Sequence, residues 1–164
     1  MPKKKSSFKK DLQRGTKVED FVLQKIKNKY PEARRISGYC KEYDIWIPEI
    51  NQGIEVKYDP KSNETGNIVI EIEMGGQPSA LSTTKAHQWI FYDGKNLVSM
   101  EPRLIKECIY RNQLRLVSFT GPGDEQSKKA YLVPKDMLFK YGKYIHVWIR
   151  VSCVLDHADS RVCW

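Results

Sequence analysis

Histidine and cysteine are scarce in this sequence, at three and four residues of 164. Cys40, Cys108, Cys153 and Cys163 are widely scattered and form no CxxC pair, which excludes a dense disulfide framework. A zinc site drawn from Cys153, His157 and Cys163 lacks an evident fourth ligand. Structural zinc takes four close ligands, so idle thiols are the simpler reading. His87, His146 and His157 have no partners at catalytic spacing and read as ordinary histidines, although His87 lies near Lys85. No apolar run approaches the length of a membrane span, and no signal-peptide pattern follows the basic start. The expectation is a soluble protein of the reducing cytoplasm with no membrane partner. Also missing are the P-loop, the Gly-rich dinucleotide turn and the Gly-x-Ser-x-Gly elbow. Nucleotide-driven motors, nucleotide cofactors and serine hydrolases are therefore poorly supported.

What is present fits one folded unit. A chain of 164 residues with 40% hydrophobic and 29% charged residues is long enough for a real core and too short for two comfortable ones. The net charge of +8 is unevenly spread. Lys3, Lys4, Lys5, Lys9 and Lys10 supply five of those charges within ten residues. Residues 1–10 are expected to be a basic flexible arm, which adds non-specific phosphate affinity. The same cluster also serves as a solubilising tail. Residues 11–164 then form the domain, with a core over 11–100 and an extension over 101–164.

The pattern over 11–30 is helical, with Val18, Val22, Ile26 and Tyr30 at four-residue steps and Pro31 as the stop. Strand-like alternation follows at 43–47, 54–58 and 68–73, with turn-rich segments between. A short helix over 82–88, a hairpin of 89–92 and 97–100 turned at Asp93-Gly94, and a helix over 102–112 come next. Strands at 116–119, 131–133 and 144–151, and a short helix at 136–141, complete an α/β sheet domain.

Three successive strands carry acids on their less apolar face: Asp44 on the first, Glu55 with Lys57 on the second, Glu71 and Glu73 on the third. A sheet with one wet face is enough to explain that much. Glu19 is harder to explain, because it lies within the apolar stripe of the first helix, three residues before Val22 and seven before Ile26. A buried acid costs several kcal/mol unless paired. A metal ion shared with Asp44 and Glu55 resolves that cost, and so does a salt bridge to Lys57. Hard oxygen ligands of this kind suit Mg²⁺, which keeps several waters and activates one of them. Asp44, Glu55 and the Val56 carbonyl would hold the ion, Glu19 would complete that site or help a second, and Lys57 would orient the attacking water. Glu71 is a further candidate acid.

Asp44, ten intervening residues and then Glu55-Val56-Lys57 resemble the PD-(D/E)xK nuclease signature. The helix with Arg14-Gly15 and Glu19 resembles the start of the archaeal-type Holliday junction resolvases of that superfamily, and the stretch through Glu71, Pro78-Ser79 and Thr83-Thr84-Lys85-Ala86 resembles its phage-encoded nucleases. Tyr43 stands where the signature has Pro, and the resemblance covers roughly residues 12–92. It implies a restriction-endonuclease-like αβββαβ core with a mixed central sheet flanked by helices. It also implies a Mg²⁺-dependent DNA endonuclease, with Mn²⁺ as a substitute, and Ser79 and Lys85 on the DNA backbone. Cutting a symmetric branched junction on two strands needs two sites, hence a homodimer. The rival readings are a non-catalytic DNA-binding module of the same fold and a partner-binding protein whose acids form an ion-pair network. Trp46, Trp89, Trp148 and the tyrosines read mainly as core residues, although one or two exposed rings could stack on unpaired bases. Arg34-Arg35 and Lys128-Lys129 read as solvated pairs.

Overall fold

The computed structural model describes residues 4–38, 42–121 and 125–145. It opens on helix α1 (Lys4–Lys27). The basic arm expected over 1–10 is thus helical from Lys4 onward. Extending a formed helix adds one backbone hydrogen bond per residue fixed, and lysine is a good helix former. Val18 and Val22 are buried at the expected four-residue step. The helix ends with the Lys29 and Tyr30 N–H groups both donating to the Ile26 carbonyl, just before Pro31.

Two sheets follow. The first runs in the order β1 (Arg34–Arg35), β2 (Ile45–Ile47), β3 (Gln52–Tyr58), then, after an excursion, β6 (Gln88–Tyr92), β7 (Leu97–Met100) and β10 (Lys143–Tyr144). Its neighbours pair antiparallel except β3 and β6, which run parallel from Ile54↔Gln88 to Tyr58↔Tyr92. The excursion contains the short helix α2 (Ser62–Thr65), β4 (Asn67–Met74), β5 (Gln77–Pro78) and a 3₁₀ turn, Ala80–Ser82. β4 and β5 belong to the second sheet, ordered β5-β4-β9-β8, with β8 (Leu116–Phe119) and β9 (Lys128–Pro134). Helix α3 (Pro102–Arg111) precedes β8, and α4 (Lys135–Phe139) follows β9. The fold is mixed α/β.

Alternation sorts the first sheet's side chains into two cores. Ile45, Ile47, Ile54, Ile90 and Leu97 are buried with Val18 and Val22 of α1. Trp89, Phe91, Val98 and Met100 face the other way, against Ile68, Ile70 and Val133 of the second sheet and Ile105, Leu138 and Phe139 of the helices. Each fully buried aliphatic side chain contributes about 1.5–3 kcal/mol, so both faces of the first sheet are strongly fixed.

Three expectations are corrected. The strand expected over 68–73 does form, but in the second sheet, paired with β9, so the first three long strands do not share a sheet. The helix expected over 82–88 is replaced by the 3₁₀ turn and an irregular run into β6. There the Thr84 hydroxyl accepts the Ala86 N–H at 3.2 Å, the local competition that makes Ser and Thr poor in helix interiors. The first strand starts at Ile45 rather than residue 43. Of the strand expected over 144–151, Tyr144 lies in β10, and residues from 146 on are outside the described residues. No helix among the described residues is long and apolar enough to cross a membrane.

Candidate functional site

β2 and β3 part company at Asp44. Their last ladder pair is Ile45↔Ile54, and one step further sets Asp44 across from Glu55. The Asp44 N–H still donates to the Ile54 carbonyl at 2.8 Å. Beyond that the side chain replaces a backbone acceptor, and Asp44 Oδ2 takes the Val56 N–H at 2.7 Å. Asp44 is 4% exposed. A buried carboxylate oxygen is thereby fixed midway along the Glu55-Val56-Lys57 run, with a backbone donor meeting its charge.

Glu55 and Lys57 share the strand face opposite the buried Ile54. Lys57 Nζ donates to Glu55 Oε1 at 2.6 Å, and the two side chains are 23% and 35% exposed in the order Glu55, Lys57. The ammonium also stands 4.9 Å from the centre of the Trp89 ring. Trp89 is fully buried, lies beside Glu55 in the β3–β6 register, and donates its indole N–H to Thr84 Oγ1 at 3.0 Å. A carboxylate on one side and an aromatic face on the other hold the Lys57 charge in one place. Linear spacing marks Trp89 mainly as a core residue and does not announce Lys57, because a parallel neighbour thirty-odd residues away leaves no signal in it.

Glu19 reaches this strand from the other side. It lines a cleft of about 350 Å³ with Arg14 and Gly15 of α1 and Val56, Tyr58, Asp59, Pro60 and Lys61 at the end of β3. It is half-buried, as its place in the apolar stripe requires. Glu19 and Glu55 therefore flank Val56 from opposite faces of the sheet. Among the described residues no three Asp, Glu, His or Cys side chains stand together closely enough to hold a metal ion.

The remaining predicted residues lie elsewhere. Glu71 is in the second sheet, where it accepts from Ser79 Oγ at 2.6 Å and pairs with Lys128 at 3.5 Å. Glu73 pairs with Lys129 at 2.9 Å. Ser79 and Lys85, both expected on DNA, are thus already engaged with acids, Lys85 through an exposed ion pair with Glu42. The hydrogen bond and charge of Glu42 raise the Lys85 pKa. Lys4, Lys5, Lys9 and Lys10 fall on α1 and Lys3 lies outside the described residues. Cys40, His146, Trp148, Cys153, His157 and Cys163 also lie outside them, so the zinc drawing does too. Cys108 is a buried thiol whose pKa burial pushes up, the signature of an inert packing residue. His87 accepts the Gly53 N–H at Nδ1, 3.1 Å away, as a bridge between β3 and the run before β6. A larger hollow, about 660 Å³, lies between α3 and the second sheet and is lined by Ile72, Leu81, Ile109, Leu114 and Tyr131, with Lys106 as its charged residue. It offers no carboxylate for metal or acid–base chemistry.

Comparison of the chain with protein families, with curated proteins and with solved structures gave no match. The chemistry of this site is therefore argued from its geometry and from Asp44 with the Glu55-Val56-Lys57 run of β3.

Proposed function

We propose that the protein is a Mg²⁺-dependent DNA endonuclease of the PD-(D/E)xK type, with Asp44, Glu55 and Lys57 at its centre. The observation that carries this reading is the parting of β2 and β3 at a buried Asp44 carboxylate bound to the Val56 N–H, beside the Glu55–Lys57 pair. The chain order supports it as well. Helix α1, the antiparallel run β1-β2-β3 and a fourth strand parallel to β3 are compatible with the expected αβββαβ core, whereas its second helix is replaced by the β4–β5 excursion.

Mg²⁺ is bound by one or two carboxylates and keeps most of its waters, so a site of fewer than three acids suits it. Asp44 and Glu55 supply hard oxygens, the Val56 carbonyl follows directly after Glu55 in the chain, and Mn²⁺ would substitute. The bound ion would polarise a phosphodiester and lower the pKa of a water. Lys57, held by Glu55 and Trp89, would orient that water and offset the charge that grows on the phosphorane. Glu19, expected to complete this metal site or a second one, lies on the opposite face of the strand and stands apart from it. Branched DNA is the preferred substrate class in this reading, and a two-fold homodimer would supply one site per strand.

Purified protein incubated with four-way junction, linear duplex and single-stranded DNA, in Mg²⁺ or EDTA, tests it. Cutting should need Mg²⁺, and Asp44→Asn or Lys57→Ala should lower it at least 100-fold, on the order expected for a lost electrostatic catalyst, while DNA binding persists. Full cleavage by either folded variant would sink the assignment. A second reading, a non-catalytic DNA-binding module, is favoured by the Glu55–Lys57 pair, in which the lysine already neutralises one of the two acids. Binding without cutting, unchanged by EDTA, would establish it instead.

A further inference from the structure

The cleft between the start of α1's buried stripe and the end of β3 contains a feature that the nuclease reading leaves unused. The parallel register sets Tyr58 directly beside Tyr92. Their rings stack with centres 5.7 Å apart and planes 23° from parallel. Behind Tyr92, the Phe21 ring of α1 closes the column at 5.5 Å. The Tyr92 hydroxyl donates to the Gly94 carbonyl at 3.2 Å, which fixes the middle ring. Tyr58 is the outer member of a column braced from behind, yet it stays 37% exposed and lines the cleft.

An exposed ring on a braced stack is suited to one more planar group. The walls suit a nucleotide. Arg14 and Lys61 line the cleft with cationic groups and Glu19 and Asp59 with carboxylates, one Asp59 oxygen taking the Ser62 N–H at 3.2 Å. The walls thus carry the two kinds of charge that a nucleotide's phosphate and exocyclic amino groups would meet. A volume of about 350 Å³ holds a single base and sugar. On the α1 side the wall is Gly15, where an added Cβ would meet no atom within 4 Å, so the helix backbone itself leaves room. The cleft also opens past the carboxyl end of the parallel pair β3 and β6, the end of such strands at which ligands bind in open α/β sheets.

We propose that this cleft stacks one unpaired nucleotide of a DNA strand on Tyr58. The proposal rests on the nucleic-acid reading above and narrows its substrate: bases inside a duplex present no open face to a ring, whereas branch points, flaps and single strands do. The site would hold such a nucleotide on the α1 side of the strand whose other face carries Glu55 and Lys57.

The test measures binding of the full-length protein in EDTA, by anisotropy of a labelled single strand, of the blunt duplex of the same sequence, and by competition with a free mononucleotide. Tyr58→Ala should weaken single-strand binding roughly 5- to 150-fold, the range set by one lost base stack, with duplex binding unchanged. Tyr58→Phe, which keeps the ring, should bind like the wild type. Gly15→Leu fills the cleft without touching the ring and should cause the same loss while the helix holds its thermal midpoint, since leucine is the better helix former. Single-strand binding that is intact in both Tyr58→Ala and Gly15→Leu overturns the proposal, and so does an equal loss on duplex. A mononucleotide that binds as tightly as the strand overturns the assignment to a strand. Tyr58-dependent binding by a protein that never cuts defeats only the nuclease reading, and Mg²⁺-dependent cutting without Tyr58-dependent binding defeats only this one.

Discussion

At position 53 a side chain would collide with its neighbour. A Cβ added to Gly53 falls inside the packing envelope of the Tyr43 ring, and that ring is itself stacked on Trp46 with centres 5.4 Å apart. Gly53 is buried, its N–H donates to His87 and its carbonyl accepts the His87 N–H at 2.8 Å. Neither partner has slack, so Gly53→Ala should cost about 1–3 kcal/mol, the range for overpacking a tight site. Urea unfolding measures it, and the cost should shrink in a Tyr43→Ala background, because contacting residues couple. Equal costs in both backgrounds would show that the ring is not the obstacle. In the proposed nuclease reading Tyr43 takes the position where the signature has Pro, and Gly53 leaves room for its ring. The sequence showed the departure and hid its partner, since contact across a hairpin leaves no mark in linear spacing. Glu55 and Lys57 were legible for the opposite reason: residues two apart on a strand must share a face. Trp89 beside Lys57 and Tyr92 beneath Tyr58 were not, because both arise from a parallel pairing that only the fold reveals.

Elements were easier to read than their partners. Helices α1 and α3 and the β6–β7 hairpin follow from periodicity and from Asp93-Gly94, yet β4 joined a second sheet that its Ile68, Ile70, Ile72 alternation could not announce. Alternation reports which residues share a face and says nothing of which strand lies alongside. Beside the apolar core between the two sheets, one buried polar group ties the β6–β7 turn to α2 and α4. Asp93, in the β6–β7 turn, is 1% exposed, and its Oδ1 accepts the N–H groups of Lys95 and Asn96 at 2.8 and 2.6 Å. Its Oδ2 accepts Lys135 Nζ at 3.1 Å from the start of α4, and its carbonyl accepts the Asn63 amide of α2. Burial alone pushes the Asp93 carboxyl up, but the donors from Asn96, Lys95 and Lys135 outweigh it, and its pKa lies below the ordinary value. A carboxyl held lower in the folded state stabilises the fold above the unfolded-state value and loses that contribution as pH falls through the folded one. The urea midpoint should therefore drop below about pH 4, where an unfolded aspartate begins to bind its proton, and Asp93→Asn should flatten that drop. Lys135→Met, which leaves the carboxylate without its cation, should cost on the order of 3 kcal/mol at neutral pH. A pH profile identical in wild type and Asp93→Asn would remove Asp93 from the acid response.

At the scale of the whole molecule, charge and helix coincide. Five of the eight net positive charges sit at Lys3, Lys4, Lys5, Lys9 and Lys10, and α1 begins at Lys4, continuous with the turns that carry Arg14, Gly15 and Glu19 at the cleft. A flexible arm would add phosphate affinity with no fixed direction. Lys4, Lys5, Lys9 and Lys10 belong to the helix that also carries Arg14, Gly15 and Glu19, and in the proposed nucleic-acid reading their charge would add to binding at the cleft. Counterion release makes this measurable. Each lysine that neutralises one phosphate steepens the fall of log binding constant with log salt by about 0.9 on duplex DNA and about 0.7 on a single strand. Replacing all five with glutamine preserves helix propensity while removing the charge. The variant should bind duplex with a slope shallower by about 0.9 for each lysine that touches a phosphate, and with weaker affinity at low salt. Its preference for single strand over duplex should persist, because stacking on Tyr58 is not an ionic contact. An unchanged slope would show that the basic segment never meets the DNA, and the partner-binding reading, in which the acids form an ion-pair network, would gain from that result.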